Sequence, residues 1–180
     1  MIELVRAKMS LVPEVLDYYI RNREFLAPFE SERDESFYTV QSIEKLIRNA
    51  MRNYRNKTGV RFYIRIPESE TVIGTIALNS IVWGAFRSCF LGYGLDKDHI
   101  GNGYMTEAVN MVTEYAFSEL GLHRIEANVM PRNTASLRVL EKCGFEPEGL
   151  ARKYLLINGV WEDHIHMVKF APEPAVGLGK

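Results

Sequence analysis

Two glycines one residue apart set the strongest constraint on this chain, in Leu95-Asp-Lys-Asp-His-Ile-Gly101-Asn-Gly103-Tyr-Met-Thr106-Glu-Ala. The residues before them, Ser88 to Leu95, read as a strand. Those after them place Met105, Val109, Val112 and Ala116 on one stripe of a helix. Glycine lets the chain curl tightly between the two elements, with no Cβ to keep a ligand away from the backbone. The first helical turn then presents N–H groups without intrahelical acceptors, at the positive end of the helix dipole. Bend and helix start together form an anion site suited to a pyrophosphate. The same pattern also serves as plain strand-to-helix punctuation.

Two nucleotide readings fail on spacing. A dinucleotide fold takes Gly-x-Gly-x-x-Gly or Ala, whereas the third small position counted from Gly101 is Thr106. An acidic ribose partner should follow about 20 residues on, and the nearest, Glu126, comes late. A P-loop needs a lysine after its last glycine, and none follows Gly103.

The rest of the chain alternates strands and helices. Ile2 to Ala7 reads as a strand, and Ser10 as the cap of a helix carrying Val12, Leu16 and Tyr19. An acidic loop from Glu24 to Ser36 leads to a second helix with Ile43, Ile47, Ala50 and Tyr54 on one face. Arg61 to Ile66 and Val72 to Ile81 read as a hairpin. Gly121 closes the helix after the glycine bend, and the strand Arg124 to Met130 buries Ile125, Ala127 and Val129. A short helix spans Thr134 to Lys142. Two last strands, Lys153 to Ile157 and His164 to Phe170, flank an Asn-Gly turn. This order predicts one α/β (α+β) domain over residues 1–170, with a flexible tail over 171–180 that holds two prolines and two glycines. At 180 residues there is room for one full core.

A second segment, Asn133-Thr-Ala-Ser136-Leu-Arg-Val-Leu-Glu-Lys-Cys143-Gly144-Phe145, follows the strand at Arg124. With the glycine bend it resembles the acetyl-CoA core of the GNAT N-acetyltransferase superfamily. Asp17-Tyr-Tyr-Ile-Arg-Asn-Arg-Glu-Phe-Leu-Ala-Pro-Phe-Glu30, Leu91-Gly-Tyr93, Ala127-Asn-Val-Met-Pro131 and Tyr154-Leu-Leu-Ile-Asn-Gly159-Val-Trp-Glu-Asp-His164 look like its bacterial RimJ branch. That resemblance implies a mixed, mostly antiparallel sheet of about seven strands flanked by helices, with splayed central strands. It implies an enzyme that acetylates the N-terminal alanine of a small-subunit ribosomal protein by direct transfer from acetyl-CoA, without a metal. The partner implied is the ribosomal protein N-terminus, in the setting of the assembling small subunit, and the enzyme is expected as a monomer or homodimer. Two alternatives stay open: an acetyltransferase for a small amine or antibiotic, and an assembly factor that catalyses little.

The resemblance also assigns residues. Main-chain N–H groups of Gly101, Asn102, Gly103, Tyr104, Met105 and Thr106 would take the pyrophosphate. Tyr93, Gly94 and Leu95 would pair with the pantetheine amides as an added strand, one N–H facing the thioester oxygen as charge develops there. Asn133 would reach the pantetheine arm, besides serving as a helix cap. Ser136 would donate a proton to the departing sulfur, its alternative being a second cap. The pattern usually opens with Gln or Arg three residues before the first glycine, where this chain has Asp98. The acid and base positions of related branches fall on Asn128, Leu140 and Leu155, which are neither acids nor bases. An α-amine titrates near 8, so about a tenth is neutral at pH 7, against about one lysine in several thousand. A site without a strong base therefore fits an α-amine better.

Phe29, Glu30 and Tyr154 are the expected acceptor contacts. Phe25, Trp83 and Phe86 are further aromatic candidates, and the segment Trp161 to His164 is a further rim candidate, read as a turn. Lys45, Arg48, Arg52, Arg55 and Lys57 make the second helix basic outside, which reads as a solvated face with ribosomal RNA contact as the alternative. A net charge of −1 gives no general pull toward nucleic acid, so no specific nucleic-acid partner is expected. Two cysteines without a framework, no leader pattern and no long apolar run fit a cytoplasmic protein without membrane contact.

Overall fold

The computed structural model describes residues 1–69 and 71–172; most of the expected tail, residues 173–180, lies outside them. Seven strands form one sheet: β1 (Glu3–Arg6), β2 (Val60–Ile66), β3 (Thr71–Val82), β4 (Ser88–Leu95), β5 (Arg124–Val129), β6 (Glu146–Ile157) and β7 (Val160–Phe170). Their order is β1-β2-β3-β4-β5-β7-β6. Helices α1 (Val12–Arg21), α2 (Arg23–Leu26), α3 (Val40–Arg55), α4 (Tyr104–Ser118) and α5 (Thr134–Lys142) lie on its two faces. This is the seven-stranded mixed sheet that the resemblance implied.

The sheet separates two apolar layers. On one face Ile64, Ile73, Ile76, Leu78 and Ile125 pack with Val109, Val112 and Ala116 of α4 and Leu140 of α5. On the other, Tyr63 and Val72 pack with Val15, Tyr18 and Tyr19 of α1 and Ile43 and Ile47 of α3. Each fully buried aliphatic side chain contributes about 1.5–3 kcal/mol, so both layers hold the sheet firmly.

Every strand pair is antiparallel except β4 with β5, which run parallel. That pair is short. It matches Ser88 with Arg124, Cys89 with Ile125 and Phe90 with Glu126, and goes no further. Beyond that point β4 stays on β3 out to Leu95, while β5 stays on β7 out to Val129. The two central strands therefore part, and a gap opens beside Leu91 to Leu95.

Several local expectations change. Ser10 caps nothing: it lies inside a 3₁₀ turn, Met9–Leu11, and α1 starts at Val12 with Pro13 in its first turn. Proline presets that turn and needs no N–H partner there. The acidic loop contains α2 and the 3₁₀ turns Ala27–Phe29 and Glu35–Phe37. The last two strands begin earlier than their pattern suggested, at Glu146 and Val160. Register shifts at Pro147/Gly149 and Ala151/Leu155, with Lys153 at φ 49°, break the alternation that would have revealed them. Trp161 to His164 is accordingly strand, and the turn is Asn158-Gly159, both at positive φ as a type I′ hairpin requires.

One buried carboxylate fixes the start of the β4–α4 connection. Asp96 accepts from Arg21 Nε at 2.5 Å, Asn22 Nδ2 at 3.1 Å and the Asp98 N–H at 2.9 Å. The Asn22 side-chain oxygen accepts the Lys97 N–H at 2.9 Å. Burial alone would raise the Asp96 carboxyl, but the Asp98 N–H, the Asn22 amide and Arg21 outweigh it and hold the group at about 2, against 3.8 ordinarily. Because the folded value is the lower one, its stabilisation is complete above pH 3.8 and disappears as pH falls through about 2. Asp96→Asn is expected to cost about 2 kcal/mol in urea melts at neutral pH. The gap from the parent protein should close between pH 4 and 2; a constant gap contradicts the assignment.

Candidate active site

The glycine bend keeps its outer side clear. Gly101 and Gly103 both sit at φ 79°, and a Cβ on either would meet nothing within 4 Å. The first intrahelical bond of α4 runs from the Glu107 N–H to the Gly103 carbonyl at 3.0 Å. The N–H groups of Tyr104, Met105 and Thr106 precede it and lack intrahelical acceptors. The Met105 side chain is buried in the core, so only its backbone can serve a ligand. Asn102 turns its amide back onto the carbonyls of His99 and Ile100, at 3.2 and 3.3 Å. The anion at Asp98 is balanced by Lys97, whose Nζ lies 2.8 Å from it. A diphosphate therefore meets open space, free amides and a positive helix end, and the residues present fit it.

The parted edge of β4 leads from that bend. Cys89, Leu91, Tyr93 and Leu95 face the α4 layer, while Gly92 and Gly94 face the α1 side. Tyr93 spans from β4 to α5. Its hydroxyl lies 2.8 Å from Ser136 Oγ and 3.3 Å from the Ser136 carbonyl. Burial pushes the Tyr93 phenol up, with the Ser136 bond opposing, so it stays neutral. Asn133 caps α5, its Oδ1 accepting the Ser136 N–H at 3.2 Å. The Ser136 hydroxyl is thus no second cap; it bonds to Tyr93, from which it can accept a proton after giving up its own.

The α1 side of the gap joins Asn128 and His164, which the sequence singled out for other reasons, with Tyr18, Glu126 and His166, to which it assigned no role. A Cβ on Gly94 would stand 3.1 Å from the Tyr18 hydroxyl, which is buried without a hydrogen-bond partner among the described residues. The Oδ1 of Asn128 on β5 is likewise buried and unpartnered. Asn128 pairs with His166 of β7, so the two share a face with Glu126 and His164. Buried Glu126 accepts from Arg124 Nη1 at 2.6 Å and His166 Nδ1 at 2.5 Å. Burial works to raise the Glu126 carboxyl; Arg124 and His166 outweigh it and hold it low. His164 Nδ1 lies 3.0 Å from the Glu162 carbonyl. A carbonyl only accepts, so Nδ1 carries a hydrogen, which leaves Nε2 as the ring's proton-exchanging nitrogen.

The expected acceptor residues fall on two facing parts of this side. Tyr154 of β6 has its ring centroid 5.7 Å from His164 and 5.0 Å from His166. Phe29 lies across from it under Arg132, 5.6 Å from its ring centroid. Arg132 also donates to the Pro28 carbonyl at 2.8 Å and to Glu162 at 3.2 Å, and Asn158 donates to the Ala27 carbonyl at 2.5 Å. These bonds brace the β6–β7 hairpin against the α2 loop. Glu30 is set apart, in a cavity of about 330 Å³ with Tyr19, Tyr38 and Asn158, paired with Arg33 at 2.6 Å. Burial raises its carboxyl against the pull of Arg33. Trp83 and Phe86 lie in the β3–β4 turn, at the paired end of β4 and away from the gap, and Trp83 Nε1 donates to the Lys57 carbonyl at 2.7 Å. Phe25 packs against the α1–α3 layer.

Strands that part beside a glycine bend with free amides suit an acyl-CoA-dependent transferase, and known proteins share this arrangement. The acetyltransferase (GNAT) domain model matches residues 11–146. The chain belongs to this family and is an N-acetyltransferase. It is 48% identical over 151 residues to a probable N-acetyltransferase, YjcK, of Bacillus subtilis, covering 84% of this chain and 83% of that one. It is 38% identical over 159 residues to the [ribosomal protein uS5]-alanine N-acetyltransferase of Escherichia coli, covering 87% and 81%. The solved structure of Mycobacterium smegmatis RimJ in complex with CoA-disulfide superposes with a TM-score of 0.90 at 28% identity, covering 94% of this chain and 82% of that one.

The Tyr93–Ser136 contact is testable by itself. A double-mutant cycle of Tyr93→Phe and Ser136→Ala should give a coupling energy of about 1 kcal/mol in denaturant melts. Additive losses would mean that the two hydroxyls do not bond.

Proposed function

We propose that this enzyme transfers the acetyl group of acetyl-CoA to the N-terminal α-amine of a small-subunit ribosomal protein, alanine being its first residue. The observation that carries the reading is the unpaired edge of β4 running into the glycine bend, in a chain like the Escherichia coli alanine acetyltransferase. Acetyl-CoA supplies the activated acyl group. The amides of Gly101 to Thr106 hold its pyrophosphate, and the backbone of Tyr93, Gly94 and Leu95 lines up its pantetheine arm, with Asn133 opposite. One β4 N–H stabilises the oxygen on which charge develops as the amine attacks.

On the α1 side, Asn128 Oδ1 and the Tyr18 hydroxyl meet the incoming amine, Oδ1 accepting one of its hydrogens. A neutral amide there cannot strip a proton from a lysine but can orient an amine that is already neutral. His164 Nε2 takes the proton released as the C–N bond forms. Ser136 gives its proton to the sulfur as the thioester bond breaks and takes one from Tyr93. As CoA and product leave, water returns a proton to the Tyr93 phenolate and removes the one held by His164. Phe29 and Tyr154 bound the acceptor segment, with Glu30 in the adjoining cavity beside the α2 loop.

Gly103→Ala should leave the fold intact, since its Cβ points into open space, though the left-handed backbone costs about 1–2 kcal/mol. Calorimetry should show CoA binding weakened about tenfold or more, as the methyl crowds the phosphate; unchanged affinity contradicts the cradle. Ser136→Ala and His164→Gln should each lower kcat by about tenfold or more with little change in KM for the peptide. For the substrate, kcat/KM for an alanine-starting ribosomal peptide should exceed that for spermidine or an aminoglycoside by about a hundredfold. The reverse order would assign the enzyme to small amines. A strain carrying Gly103→Asp that assembles ribosomes normally but lacks one N-terminal acetyl group supports the enzyme reading. Failed assembly with acetylation intact supports an assembly factor.

A further inference from the structure

The outer edge of the sheet, three strands from the gap, carries a second concave surface. Residues 3–9, which include β1, the outer side of α3 and Arg61 and Arg65 of β2 enclose a groove of about 980 Å³. Arg6, Lys8, Arg48, Arg52 and Arg55 line its walls, with Arg61 and Arg65 deeper, against one lining carboxylate, Glu3. Glu3 and Glu14 both pair with Arg65 and Glu44 pairs with Arg48, so among the described residues Arg6, Lys8, Arg52, Arg55 and Arg61 have no carboxylate partner. The whole chain carries −1, so this face is positive on a molecule that is otherwise negative on balance.

The composition narrows the ligand. Six of the seven cations are arginines, whose planar forks match phosphate oxygens two at a time. Among them Tyr54 and Met51 are 37% and 38% exposed, and the Arg6 guanidinium lies 4.1 Å from the Tyr54 ring centroid. Flat aromatic and guanidinium faces between phosphate-binding groups are what unpaired bases stack on. A membrane surface is flat and would leave cations on the groove walls unused. We propose that this groove binds a single-stranded RNA segment by its phosphates, with bases stacked at Tyr54 and Met51. The naming of RNA rests on the ribosomal acceptor proposed above; the polyanion site itself does not. The groove and the gap are separate, so RNA and acetyl-CoA can be bound together.

The test is fluorescence anisotropy of a labelled oligouridine of about twelve nucleotides with the full chain, across a salt series. The comparison variant is Arg48→Gln/Arg52→Gln/Arg55→Gln, all exposed and outside the cleft. RNA binding that the triple variant weakens about tenfold or more, with the slope of log K against log salt reduced by about 2, supports the site. CoA affinity measured by calorimetry should be unchanged in the variant, which shows that the cleft is intact whatever the natural acceptor is. No binding at low salt, or equal binding by the variant, overturns it. So does displacement of the RNA by polyglutamate or phosphatidylserine vesicles at equal charge, because the surface would then be an indiscriminate polyanion or membrane contact.

Discussion

The separation of β4 from β5 after Phe90 and Glu126 is the feature on which the rest of the molecule turns. A sheet normally pairs every interior edge, since unpaired N–H and C=O groups are costly away from water. Here two neighbouring strands bond at three positions and then each follows its other partner. An extended ligand rich in amides can complete such an edge as another strand would. The elements at the mouth keep it open: the glycine bend at one end, the Asn133-capped α5 bridged to β4 through Tyr93 and Ser136, and Asp96 anchoring the connection to α1.

The two sides of the opening differ in kind. Toward α4 and α5 the hydroxyls are satisfied by each other, as in the Tyr93–Ser136 contact. Toward α1, Tyr18 and Asn128 carry buried polar atoms with no partner among the described residues. An unmet buried group costs about 1–3 kcal/mol, so a fold that retains two of them beside one gap has polar groups in reserve for a ligand. A leaving thiol on the first side and an arriving amine on the second accord with that division.

The sequence foretold what depends on neighbours in the chain. The glycines at positive φ, the stripe of α4, the Asn133 cap and the Asn158-Gly159 turn are each set within a few residues, and each stands where expected. Register escaped it. The face shared by Asn128, Glu126, His164 and His166 exists because β5 pairs with β7 across some 40 residues. No local pattern marks a histidine within an alternating strand as one whose Nδ1 is tied to a carbonyl. The early starts of β6 and β7 were hidden by bulges, and Ser10 misled because α1 starts at Val12, with Pro13 in its first turn and no side-chain cap. Trp83 and Phe86 were acceptor candidates only as aromatics, a type more often used in cores, and the parallel pairing at Ser88 puts their turn at the closed end.

Amide hydrogen exchange with and without CoA tests the parted-strand account most directly. Bound CoA should slow exchange at the Tyr93 to Leu95 amides and at Gly101 to Thr106, with the paired Ser88 to Phe90 segment unchanged. Protection that appears elsewhere, or CoA binding that leaves those two stretches untouched, would contradict it.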